Sequence, residues 1–175
     1  MPAANTKEYY AMGVLDQILL QGDDSMLRDA LVQKRGMTGE VGGGINMLGN
    51  MFNYNGPMLW TGYLFHDNSV PADSIMAVVD SVINRVRTSP IDQETVTRAL
   101  AKFRSDFLDM TTGMYGFGRA DLLASFALFY DDPAKINTIE EQIKEVTPEL
   151  IQRTAQEYLR PTSQTVLSLV PKSGS

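Results

Sequence analysis

V-L-D-Q-I-L-L-Q-G-D-D-S-M-L-R-D-A-L-V-Q-K-R-G-M-T-G-E-V, residues Val14 to Val41, decides how this chain is read. Its first part continues an apolar pattern that begins at Tyr10 and Ala11 and runs through Val14, Leu15, Ile18 and Leu19. That three-and-four spacing predicts one helix over Lys7 to Gln21, stopped by Gly22. A second helix is expected to follow, with Asp24 or Ser25 accepting hydrogen bonds from its free N–H groups. Leu27, Ala30 and Leu31 would supply its buried stripe, and Gly36 would end it.

Working outward, Val41 to Leu48 and Met58 to His66 read as neighbouring antiparallel strands. They are short, apolar and aromatic, and the turn-forming run G-N-M-F-N-Y-N-G-P separates them. Gly42, Gly43 and Gly44 weaken the first strand, so a close approach or a bend is expected there. These glycines lack the spacing of a dinucleotide fingerprint. The second half reads as helices. Pro71 suits a first helical position, and Ile75, Val79, Val82, Ile83 and Val86 form one face up to Ser89-Pro90. Val96, Leu100, Phe103 and Phe107 form the next face, and Leu122, Leu123, Phe126 and Phe129 another within Arg119 to Tyr130. Thr138 with Glu141 has capping-box spacing, and Thr147-Pro148 is a second start signal. After Arg160-Pro161, alternating Val166, Ser168 and Val170 suggest a last strand. The fold class is therefore α+β, a small mainly antiparallel sheet with helices packed against it.

The 175 residues are read as a single domain, 1–175, with enough chain to bury a core without a disulfide or cofactor. No apolar run approaches the roughly 20 residues that span a bilayer. A formal charge of −6, from 15 Lys and Arg against 21 Asp and Glu, argues against a nucleic-acid partner, because binding to phosphates is driven by basic patches. The first residues, Pro2 to Tyr10, are polar and lack the apolar region of a signal peptide.

The helix, glycine turn, second helix and K-R-G stop of Val14 to Val41 resemble the non-catalytic half-domain of the pitrilysin (insulinase) family of zinc metallopeptidases. So does the tail from Phe126 to Pro171, with F-A-L-F-Y-D-D-P-A-K-I-N, E-V-T-P-E-L-I-Q-R-T-A-Q-E-Y-L-R-P and T-V-L-S-L-V-P in order. The resemblance implies the same half-domain fold, in which a further strand precedes the first helix. Only Met1 to Thr6 remain to supply it, so the expectation is a truncated domain with three strands and an exposed or borrowed edge. In that family an H-x-x-E-H helix holds zinc. This chain has one histidine, His66, followed by Asp67, Asn68, Ser69 and Val70, and no cysteine. A catalytic zinc takes three protein ligands, so no cofactor is expected in this chain, and zinc belongs to the parent or a partner domain.

The resemblance also implies an arginine and a tyrosine beside the K-R-G-like turn of the family's substrate-binding half. Here Val32 and Gly39 stand at those positions, and neither can donate to an oxyanion. Arg35 is too far along to replace them. The expected role is a non-catalytic domain that packs beside an H-x-x-E-H domain of the same or a partner chain and helps enclose a peptide. This chain alone would not be an enzyme. Phe52, Tyr54 and Asn55 are the candidate chamber residues, since they sit in the turn, close in sequence to Met47, Met51, Met58 and Trp60; core packing is the ordinary reading of that methionine and aromatic group. Asp23 with Asp24, and Asp131 with Asp132, read as caps and turns. His66 reads as a satisfied strand-end residue. Exported bacterial relatives make a periplasmic parent the implied location. Two alternatives stay open: a scaffold module of the same fold with no peptidase partner, and an unrelated α+β binding domain.

Overall fold

Helix α1 (Lys7–Leu19) lies at the centre of the molecule, and every residue from Tyr9 to Leu19 is buried. A helix buried on all sides needs neighbours all round, and α1 has them in the second helix, the first strand and three later helices. Its N-terminus is capped by Thr6, whose hydroxyl accepts the Tyr9 N–H. In this computed structural model the described residues are 1–54, 56–113 and 117–169.

After Gly22, at φ +80°, comes α2 (Met26–Arg28), which widens into a π-helical turn at Asp29–Gln33. The widening shows in the Lys34 N–H bonding five residues back to the Asp29 carbonyl. Gly36, at φ +59°, then turns the chain so that the Met37 N–H closes on the Leu31 carbonyl. Strands β1 (Val41–Ile45) and β2 (Trp60–Leu64) pair antiparallel, Val41 opposite Leu64 and Ile45 opposite Trp60. The helices α3 (Ala72–Thr88), α4 (Gln93–Thr112) and α5 (Phe117–Tyr130) follow. A 3-10 segment (Pro133–Thr138) leads into α6 (Ile139–Lys144) and α7 (Pro148–Tyr158). The core joins α1 to Leu31, Val96, Phe103, Phe107, Phe126, Ile139 and Ile151.

The α+β class and the helix pair are as expected, and four details differ. Among the described residues there are two strands and not three, because residues 164–169 are exposed and pair with no strand; Val170 lies outside the described residues. Alternation supplies a strand's faces, whereas a strand also needs an adjacent edge to bond to. Ser25 occupies the cap position of α2, but its side chain accepts nothing, and Asp24 is held instead by Lys102 at 2.6 Å. Thr138 forms no capping box, because the 3-10 segment before it already has it in helical conformation and its hydroxyl donates to the Lys135 carbonyl. Leu123, expected in a buried stripe, is exposed.

Candidate functional site

The Met and aromatic group of the hairpin divides between the interior and the surface. Phe52 was expected in an exposed turn and is instead 2% exposed, edge-on to Phe107 and tilted against Phe126, each at 5.7 Å between ring centres. The reason is local. Asn50 accepts the Phe52 N–H, and Asn53 accepts bonds from the Asn50 N–H and the Asn46 side chain, so the turn satisfies its own backbone while Met51 and Phe52 fold inward. The Tyr9 hydroxyl donates to the Met51 carbonyl at 2.6 Å and holds that fold-back to α1. Burial pushes the Tyr9 phenol well above its usual range. Tyr54 is exposed, its hydroxyl donating to the Pro57 carbonyl and its own carbonyl accepting from Tyr130. Asn55 lies outside the described residues.

What the loop and β2 present outward is apolar. Met47, Leu48, Leu59, Tyr63 and Phe65 are all exposed, and the Tyr63 and Phe65 rings meet edge to face at 6.2 Å. Residues 41–65 contain no Lys, Arg, Asp or Glu in a chain that is 21% charged. Exposed apolar side chains grouped on a charge-free stretch have the composition usual for a contact surface. In the sequence this face is marked by the gap in charge over residues 41–65, a signal separate from the strand pattern.

Behind the hairpin lies a buried acid on α1, which apolar spacing alone does not single out. Asp16 is 7% exposed and accepts hydrogen bonds from the Trp60 indole and, at 3.0 Å, from the Gln21 amide, which also donates to the Gly43 carbonyl. Its pKa is pushed up to about 6: burial is the larger cause, opposed by the bonds from Trp60 and Gln21 and assisted by repulsion from Asp106. The next residue, Gln17, donates to Asp106 at 2.7 Å. The glycine run makes room for this cluster. A side chain at Gly43 would meet the Thr61 carbonyl and Leu20, and one at Gly44 would meet the Gln21 amide.

His66 is partly exposed with its Nδ1 at 2.9 Å from the Asp67 carbonyl, while Asp67 accepts the Ser69 N–H. Among the described residues no three His, Cys, Asp or Glu side chains come together in a way that would hold a metal. The lone imidazole, facing a carbonyl and not a set of donors, does not fit a zinc centre. Val32 is half-buried in the π-helical turn and Gly39 is exposed in open space, so neither position offers a donor. Arg35 is committed to the Ala30 carbonyl at 2.9 Å, where it caps its own helix. Of the four aspartates read as caps and turns, Asp132 does cap, accepting the Ala134 N–H, and Asp131 sits at φ +55° in the turn. Asp23 and Asp24 lie in the turn before α2, closed by the Ser25 N–H on the Gly22 carbonyl, and they also pair with Arg28 and Lys102. A cleft of about 170 Å³ between α1, α3 and α4 is lined by Arg85, Asp92, Arg98 and Lys102 among others. That is smaller than ordinary ligand pockets of roughly 300 Å³ and more.

The fold is shared with known structures. The inactive peptidase domain of a candidate zinc protease from Bordetella parapertussis superposes with a TM-score of 0.76 at 19% identity, over 94% of this chain and 85% of that one. A candidate zinc protease from Bordetella pertussis Tohama I gives 0.79 at 19% identity, over 98% and 89%. A protease from Helicobacter pylori gives 0.70 at 18% identity, and the match covers 93% of this chain but 37% of that longer one. No curated protein sequence matches the chain. The sequence model described as the Peptidase M16 inactive domain matches residues 1–103, more than half of the 175. The chain therefore belongs to the inactive-domain family of the M16 peptidases, the zinc-metallopeptidase family that its paired helices and K-R-G stop resemble.

Proposed function

We propose that this chain is the non-catalytic domain of a zinc-dependent metallopeptidase, and that it packs beside an H-x-x-E-H domain and helps enclose the peptide substrate. The observation that carries this reading is the match to the inactive domain in a chain with one histidine and no cysteine. Zinc, the general base and the oxyanion donors come from other domains in this reading, and this chain contributes shape and burial, restricting which peptides enter. Tyr54 is the described chamber candidate whose exposure suits contact with a peptide.

The test has two arms. Metal analysis and peptide-cleavage assays on this chain alone are expected to give neither stoichiometric zinc nor turnover, and finding both would overturn the proposal. Adding the chain to the H-x-x-E-H domain encoded with it is expected to restore or sharpen cleavage. If no H-x-x-E-H segment is encoded in the same or an adjoining reading frame, the scaffold reading replaces this one.

A further inference from the structure

The β1–β2 hairpin meets α1 over a buried acid. Asp16 accepts from the Trp60 indole of β2 and from the Gln21 amide, which reaches on to the Gly43 carbonyl of β1 at 3.1 Å. The strands themselves are lightly packed: Val41, Ile45, Trp60 and Leu64 are only half-buried against the core, and among the described residues no third strand joins the pair. A two-stranded sheet is barely stable by itself, and elements with few buried contacts open more readily than the core they lean on.

The charges around Asp16 do not neutralise it. Residues 41–65 carry no Lys, Arg, Asp or Glu, so neither strand supplies a cation. On α4 the charge that acts on Asp16 is Asp106, of like sign and bonded by Gln17, while Lys102 is turned to the Gln21 carbonyl and to Asp24. In the turn before α2 Arg28 pairs with Asp23, and at the other end of α1 Lys7 and Glu8 pair with Glu145 and Arg153. A carboxylate buried without a cation is costly to ionise, and access to water relieves that cost. Burial raises the Asp16 pKa to about 6, and the bonds from Trp60 and Gln21 offset only part of the rise. A closed hairpin therefore favours the neutral acid, and an open one the charged acid.

We propose that the hairpin is a proton-controlled element of this fold: with Asp16 neutral its strands lie on α1, and with Asp16 ionised they lift away so that water reaches the carboxylate while the helical body stays folded. Lifting carries the Trp60 indole and the Gly43 carbonyl off α1. The fold-back at Met51 and Phe52 is held by the Tyr9 hydroxyl and by the core, uses no carboxylate, and stays in place. Opening is driven as pH rises, because the open form holds its proton less tightly than the closed one. The device belongs to this chain alone and is independent of the peptidase reading.

Native-state hydrogen exchange of the full chain at pH 4 and pH 7.5, corrected for intrinsic exchange and repeated in dilute urea, tests it. The opening constants of amides in residues 41–45 and 60–64 are expected to rise by about tenfold to a hundredfold between the two pH values, with little dependence on urea. Amides of α1 are expected to exchange only through urea-sensitive global unfolding. In Asp16→Asn the pH dependence of the strand amides should disappear. Strand opening that is the same at both pH values would overturn the proposal. So would strand opening as sensitive to urea as that of α1, which would mean that the hairpin comes away only when the whole chain unfolds, or a pH effect that persists in Asp16→Asn. The two wild-type comparisons decide the point even where the variant fails to fold.

Discussion

Trp60 donates its indole N–H to the carboxylate of Asp16, joining the second strand to the middle of a helix 44 positions earlier. The bond crosses the boundary between the hairpin and the helical body, and Gln21 reinforces it by bonding both Asp16 and the Gly43 carbonyl. Attachment of the two-stranded sheet to α1 therefore depends in part on one buried carboxylate.

That dependence makes stability fall as pH rises. Asp16 has a folded-state pKa of about 6 against an ordinary 3.8, so the folded chain holds the proton more tightly than the unfolded one. The favourable contribution is complete below the unfolded value and is lost as pH climbs through the folded one, by about 3 kcal/mol at most. Urea unfolding followed through Trp60 fluorescence is expected to show this decline between about pH 4 and pH 7. In Asp16→Asn the decline should vanish; an unchanged slope in the variant would show that another group is responsible. Asp92 and Glu149 are shifted down by backbone hydrogen bonds and act in the opposite sense at lower pH.

Trp60→Phe removes the indole donor and keeps most of the ring. Above the Asp16 pKa the lost bond is to a charged acceptor and should cost about 1.5–3 kcal/mol, whereas in acid it should cost about 0.5–1.5 kcal/mol. Chemical denaturation followed by circular dichroism at both pH values reads the difference. Equal losses at the two pH values would contradict the bond's charge-assisted character.

Gly43→Ala is expected to destabilise the hairpin by about 2 kcal/mol or more, because the added carbon would clash with the Thr61 carbonyl and the backbone sits at φ +136°. Gly39→Ala is the control. Gly39 faces open space, and the change should stay within about 0.5 kcal/mol. Melting curves of the two variants decide the point, and similar midpoints would mean that the strand shifts to relieve the contact.

The two threonines that precede helices should behave differently. Thr147 accepts the Leu150 N–H at 3.2 Å, so Thr147→Ala should cost about 1 kcal/mol. Thr138 accepts no such bond, and Thr138→Ala should cost less than about 0.5 kcal/mol. Parallel urea titrations would show the ordering, and the reverse order would contradict the assigned α6 start.

The helices were legible where apolar spacing and a stop residue agreed, as at Tyr10 to Leu19 with Gly22 and at Thr147-Pro148. The hairpin was legible from its turn run. Three things were hidden, each for a physical reason. Phe52 lies in a polar turn, and only the asparagine network that pays the backbone's hydrogen bonds lets it reach the core. Asp16 lies on a face of α1 that a soluble helix would normally leave wet, and spacing alone does not say that α1 is enclosed on every side. Val166 and Ser168 alternate as a strand does, but pairing depends on where an edge happens to lie. Of the candidate chamber residues, the turn position correctly indicated an exposed Tyr54 and wrongly suggested an exposed Phe52.

The helix that opens the segment by which the family is recognised is closed to solvent. Because α1 shows none of its residues from Tyr9 to Leu19 to the outside, it answers only to its neighbours in the core. Substitutions there are filtered by volume and shape, because a close-packed interior feels even a single added or lost methylene.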